Sequence, residues 1–186
     1  MTAAASHAPA QPPSATTIRR LGPNEAAASV GALADVLIDC VHGGASVSFM
    51  APLPRDKALA FWRNVADGVA RNERVLLVAE DASGAIVGTV QLITAMPDNQ
   101  PHRADVAKML VHRCARRQGV AQQLMAAVDD AARAEHKTVL VLDTVTGGDA
   151  ERLYERAGWQ RVGVVPDYAL MPDGALCGTT FFCKRV

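Results

Sequence analysis

The sequence predicts an α/β protein built on one mixed sheet covered by helices. Two observations carry this. Residues 74–80 and 85–93 alternate in a strand-like period and flank Asp81-Ala82-Ser83-Gly84, a polar four-residue turn, so they form an antiparallel hairpin. The second half of the chain instead runs strand, helix, strand, helix, strand, an order that implies parallel pairing.

The elements follow in order. Residues 17–21 form a short strand, and Gly22-Pro23-Asn24 opens a helix to about Val41 with Val30, Leu33, Leu37 and Val41 on one stripe. After the loop His42-Gly43-Gly44-Ala45-Ser46, a second helix begins past Pro54 and presents Leu59, Trp62, Val65 and Val69. Beyond the hairpin come a strand over 104–111, a helix over 118–135 with Val120, Leu124 and Val128 facing the core, and a strand over 138–142. A short helix over 149–157, a strand over 159–164, a long turn-rich loop and a last strand over 178–184 complete the chain. Residues 1–16 are rich in Ala, Ser and Pro without apolar periodicity and read as a disordered tail; 17–186 read as one domain. Pro9, Pro12 and Pro13 interrupt what a signal peptide would need as a continuous apolar segment.

Composition excludes several classes of function. Lys and Arg total 19, as do Asp and Glu, so no net positive field gathers nucleic acid, and aromatics at 4% offer few stacking platforms. No apolar run is long enough to span a bilayer. Cys40, Cys114, Cys177 and Cys183 have neither C-x-x-C spacing nor metal-ligand His pairs; they read as reduced, mostly buried thiols in a cytoplasmic protein without a metal.

The most informative stretch is 106–121. Between Pro101 and Val120, Arg103, Lys108, Arg113, Arg116 and Arg117 gather against the single acid Asp105, just before the 118–135 helix. Free N–H groups and the positive end of the helix dipole make such a place an anion site, and Gly119 and Ala121 leave its backbone open. The alternative is a solvated basic turn, although cations at a helix N-terminus oppose the dipole.

Arg116-Arg117-Gln118-Gly119-Val120-Ala121 resembles the Arg/Gln-x-x-Gly-x-Gly/Ala signature of the GNAT (GCN5-related) N-acetyltransferases. Ala150-x-x-Leu153-Tyr154-x-x-x-Gly158-Trp159 resembles that family's C-terminal segment, with Trp in place of Phe. The segments 41–50, Leu142-Asp143-Thr144 and Pro172-Asp173-Gly174 are similar to the tabtoxin-resistance acetyltransferases within it. The resemblance implies the GNAT fold: a mostly antiparallel sheet of about seven strands, helices on both faces, and a splay between the cofactor strand and the next. It implies acetyl-CoA as acetyl donor and a small-molecule primary amine as acceptor, with an amino-acid-like compound or a β-lactam toxin as candidates and detoxification as the role. A protein or peptide N-acetyltransferase and a non-catalytic acetyl-CoA sensor are the other readings. Either a monomer or a homodimer fits.

The resemblance also assigns residues. Backbone groups of Arg117, Gln118, Gly119, Val120, Ala121 and Gln122 cradle the CoA pyrophosphate, and Arg116 adds charge. Met109, Leu110 and Val111 pair with pantetheine, with the Leu110 N–H as oxyanion donor. Tyr154, beside the cofactor sulfur, is the general acid, or else it packs on the core. Asp105 and Asp143 hold and deprotonate the acceptor amine, or else cap strand ends. His42 and Gly43 either line the acceptor pocket or form a helix-ending turn, and His112 points away from the thioester. One departure stands out: relatives often carry Asn where this chain has Gly147.

Overall fold

The computed structural model describes residues 16–186; most of the N-terminal tail lies outside them. The chain forms β1 (Thr17–Arg20), α1 (Pro23–Ala28), α2 (Val30–His42), α3 (Arg55–Ala70), β2 (Arg74–Glu80), β3 (Ile86–Ile93) and β4 (Arg103–Val111). A 3-10 turn over Arg113–Ala115 precedes α4 (Val120–Ala134), β5 (Val139–Val145), α5 (Asp149–Arg156), β6 (Gln160–Leu170) and β7 (Leu176–Arg185). The strands make one seven-stranded sheet in the order β1-β2-β3-β4-β5-β7-β6. Only β4 and β5 pair in parallel.

Each face of the sheet has its own core. One cluster joins α1, α2 and α3 to the sheet through Leu33, Leu37, Trp62 and Val65, with Leu76, Val78 and Leu110 from the strands. The other joins α4 and α5 to the opposite face through Leu124, Met125, Val128, Leu140, Tyr154 and Phe182. Trp62 and Phe182 are fully buried, and each such side chain removed from water stabilises the fold by about 1.5–3 kcal/mol. Lys184 of β7 ties the second layer together, its ammonium 2.6 Å from Asp129 Oδ2 on α4 and 2.7 Å from the Ala157 carbonyl after α5. The hairpin turn is set by Asp81, whose Oδ1 accepts from Ser83 N–H (2.8 Å) and Ala85 N–H (3.0 Å), with Gly84 at φ 83°.

Three expectations are corrected. The first predicted helix is two, because Ser29 (φ −89°, ψ −2°) ends α1, its N–H bonding back to Glu25 and Ala26 carbonyls, and starts α2. The turn-rich loop after residue 164 is a continuation of β6 and a hairpin into β7. Pro166 is accommodated because β6 is the sheet's edge strand and the register shifts between Val165 and Ala169. The four cysteines carry free thiols, but only Cys40 is buried; Cys114 is exposed and Cys177 and Cys183 are intermediate. No helix among the described residues is long and apolar enough to cross a membrane.

Candidate active site

The site begins where the sheet comes apart. β4 and β5 pair only from Arg103↔Val139 to Asp105↔Val141; beyond that β5 stays with β7 while β4 stays with β3. The rest of β4, from Val106 to Val111, therefore has an unpaired edge facing a wedge-shaped gap.

A bulge sits on that edge. Gln91 pairs with Ala107 and Thr89 with Leu110, so β4 carries one residue more than β3 between them. Lys108 is in the bulge at φ 51°, a left-handed conformation that costs a non-glycine residue about 1 kcal/mol or more. The bulge inverts the alternation. Ala104 and Val106 face the α4 layer, whereas Leu110 faces the α2–α3 layer and Met109 packs against the α4 cluster.

The register also decides which peptide groups reach the gap. His112 N–H donates to the Val87 carbonyl (2.8 Å), and Leu110 is opposite Thr89. This phase turns the Leu110 peptide toward β3, and its carbonyl oxygen lies 3.1 Å from where a Cβ on Gly88 would be. The alternate residues Met109 and Val111 thus present their backbone groups to the open edge. The Val111 carbonyl is already an acceptor there, for Arg116 Nε (3.3 Å) and the Cys40 thiol (3.4 Å).

Asp105 is the last β4 residue paired with β5 and Asp143 lies two residues beyond that pairing on β5; the two differ in their surroundings. Asp105 is ion-paired with Arg103 on its own strand. Asp143, near the end of β5, has no ion pair among the described residues. Partial burial pushes its carboxyl above the usual range, Lys108 opposes that shift and Asp105 adds to it. Tyr154 of α5 is only 5% exposed, its ring 5.8 Å from Phe182 and 6.1 Å from Trp159. Burial raises its phenol, and the nearby Asp143 charge raises it further, so Tyr154 stays protonated at neutral pH. The ring is core, as one reading of this residue expects, and the phenol is sensitive to the Asp143 carboxylate.

The basic cluster does not gather as the sequence suggests. Arg103 goes to Asp105, and Arg113 to Asp39 through both its backbone N–H and its Nε (2.8 Å each). Lys108 points to the other layer, its ammonium 3.1 Å from Ser48 Oγ and 5.7 Å from the Phe61 ring centre. Arg116 and Arg117 alone remain beside the start of α4. There Arg117 (φ 62°) and Gly119 (φ 80°) are both left-handed, which turns successive N–H groups to one side. Those of residues 117–122 find no acceptor among the described residues; the first helical hydrogen bond is Gln123 N–H to Gly119 (3.1 Å). A Cβ on Gly119 would meet only the Gln123 amide at 3.9 Å, so the surface in front of it is open.

His42 and Gly43 have structural work. His42 Nε2 accepts from Leu53 N–H (3.2 Å), fastening the end of the 43–54 loop, and Gly43 ends α2. A Cβ on Gly43 would lie 3.1 Å from the Asp39 carbonyl and 3.2 Å from Arg113 Cδ. His112 caps the 3-10 turn, bonding Cys114 N–H (3.3 Å), and lies 3.4 Å from Asp39. At the variant position, Gly147 takes φ 80° and its N–H is held by Glu151 Oε2 at 2.7 Å.

Residues 72–161 match the sequence model of the acetyltransferase (GNAT) domain, an interval that contains the splay, the bulge, the N–H cradle and Tyr154. N-acetyltransferase from Staphylococcus aureus Mu50 superposes with a TM-score of 0.74 over 92% of this chain and 99% of its own, at 18% identity. The fold is the GNAT fold. The structure of yncA from Salmonella typhimurium with its cofactor acetyl-CoA shares it (TM-score 0.74, 20% identity, 92% and 94% covered). In sequence, the chain is 34% identical over 113 residues to an uncharacterized N-acetyltransferase in the hisH–hisA intergenic region of Azospirillum brasilense. That alignment covers 60% of this chain and spans 65% of the relative's length.

The residues present fit the acetyl-CoA that GNAT acetyltransferases use. The unpaired N–H groups of 117–122, with Arg116 and Arg117 beside them, suit a pyrophosphate, and the open β4 edge suits an amide-bearing arm. Gly147 is the exception: its N–H is already bonded, so it offers that arm no donor.

Proposed function

We propose that this chain transfers the acetyl group of acetyl-CoA to the primary amine of a small molecule, by direct attack with both substrates bound. The observation that carries this reading is the meeting, at one splay in the sheet, of an unpaired carboxylate, Asp143, and a buried protonated phenol, Tyr154, beside a free N–H cradle.

Each residue has a part. The N–H groups of 117–122 hold the pyrophosphate, and Arg116 and Arg117 add charge. The Met109–Val111 edge pairs with pantetheine. The oxyanion donor passes from Leu110, whose N–H is turned toward β3, to Met109, whose N–H faces the gap. Acetyl-CoA supplies an activated thioester. Asp143 holds the incoming ammonium and takes its proton, while Asp105, engaged by Arg103, supports the local negative charge. Tyr154 donates a proton to the departing sulfur, and the second proton shed by the attacking nitrogen as the amide forms restores the phenol. Gly43 and the loop fastened by His42 form the outer wall on the acceptor side.

The likeness of segments 41–50, 142–144 and 172–174 to the tabtoxin-resistance acetyltransferases supports an amino-acid-like acceptor, a β-lactam toxin included, and a cytoplasmic detoxifying role. The test is thiol release from acetyl-CoA across tabtoxinine-β-lactam, amino acids, polyamines, aminoglycosides and short peptides. Amine-dependent release supports the transferase and names its acceptor. Tight acetyl-CoA binding without release for any amine favours a sensor.

A further inference from the structure

Lys108 has no place in the chemistry above, yet it occupies the acceptor side of the cleft. The bulge in β4 carries it away from the start of α4, where Arg116 and Arg117 stand. Its stem lies among the α3 and 43–54 residues, its ammonium bonded to Ser48 Oγ at 3.1 Å and 5.7 Å from the Phe61 ring centre. Ser48 is itself left-handed (φ 75°). Burial lowers the Lys108 ammonium, and the one charge that counteracts this is Asp143. Yet Lys108 forms no ion pair with Asp143, or with any other carboxylate among the described residues, within 4 Å. A partly buried cation is well served by an anionic partner, and here it has only a hydroxyl and a ring face.

The geometry points to Lys108 and Ser48 as a carboxylate-binding subsite, which makes the acceptor an amine that also carries a carboxylate. Such a zwitterion aligns with the cleft: its ammonium toward Asp143 and Asp105, its carboxylate on the Lys108 ammonium and the Ser48 hydroxyl. The same cation repels polycationic acceptors, so polyamines and aminoglycosides are disfavoured by charge. This inference rests on the acetyltransferase reading and specifies its acceptor class.

The experiment compares amino acids with their α-amides, which keep the amine and remove the negative charge, on wild-type protein and on Lys108→Gln and Ser48→Ala. KM for the amino acid is expected at least tenfold below that for its amide. Lys108→Gln should raise the amino-acid KM at least tenfold, leave the amide KM within twofold, and leave acetyl-CoA affinity unchanged. Ser48→Ala should act in the same direction more weakly. Equal KM for acid and amide, or a Lys108→Gln effect confined to kcat and its pH profile, overturns the subsite. If no amine releases CoA, the transferase reading fails separately. The subsite is then read by calorimetric binding of amino acids to CoA-bound protein: heat lost in Lys108→Gln supports it, and no binding to wild type overturns it.

Discussion

The Asp143 carboxylate on β5 and the Tyr154 phenol on α5 are electrostatically coupled: the charge of the first reinforces the neutral, protonated form of the second. On the proposed reading these two groups serve as the base and the acid of direct amine acetylation.

Tyr154→Phe removes the phenolic proton and keeps the ring against Trp159 and Phe182. It should lower kcat at least tenfold, leave acetyl-CoA affinity unchanged, and change stability by less than about 1 kcal/mol. Steady-state kinetics with calorimetry checks it, and unchanged turnover at saturation removes Tyr154 from the mechanism.

Asp143→Asn should reduce kcat/KM by about 100-fold, the lower range for a lost general base. Its stability effect has the opposite sign. The folded carboxyl is raised above the unfolded value of about 3.9, so its favourable contribution is present at lower pH and lost as pH rises through the folded value. Thermal melts should show the asparagine variant more stable than wild type at neutral pH, with the gap closing below pH 4.

Gly119→Val places a branched side chain on a left-handed residue and in front of the unpaired N–H groups. Acetyl-CoA affinity should fall more than tenfold with about 1 kcal/mol or more of destabilisation. Wild-type affinity should weaken with added salt, and Arg117→Gln should flatten that dependence; calorimetry at several ionic strengths measures both.

Asp129→Ala leaves the Lys184 ammonium, 17% exposed, with only the Ala157 carbonyl. Urea denaturation should show a loss of about 2–4 kcal/mol, because an uncompensated, largely buried charge remains. Lys184→Met combined with Asp129→Leu should recover most of it.

Some of this was legible in the sequence because local chemistry decided it. Asp81 and Gly84 dictate their own turn, and the spacing of Val120, Leu124 and Val128 dictates a helix that faces one way. Tyr154 and the 117–122 segment carry the motif resemblance, and the structure shows a buried phenol at the first and unpaired N–H groups at the second. The break at Ser29 was hidden because alanines on its N-terminal side form helix as readily as the residues after it. The bulge at Lys108 was hidden for another reason: it leaves no mark in an apolar pattern, yet one inserted residue turns a lysine to the α2–α3 layer, where it meets Ser48 and Phe61. It also fixes the register that turns the Leu110 peptide toward β3 and leaves Met109 on the open edge. The continuation of β6 past Pro166 depends on its edge position, which only the sheet order reveals.

The most direct measurement is mass spectrometry of the amine panel after incubation with acetyl-CoA and the full chain, with CoA counted in the same samples. One N-acetylated amine per CoA released is expected, at a rate that falls at least tenfold in Tyr154→Phe. Acetyl-CoA bound by the protein but left intact in the presence of every amine would contradict it.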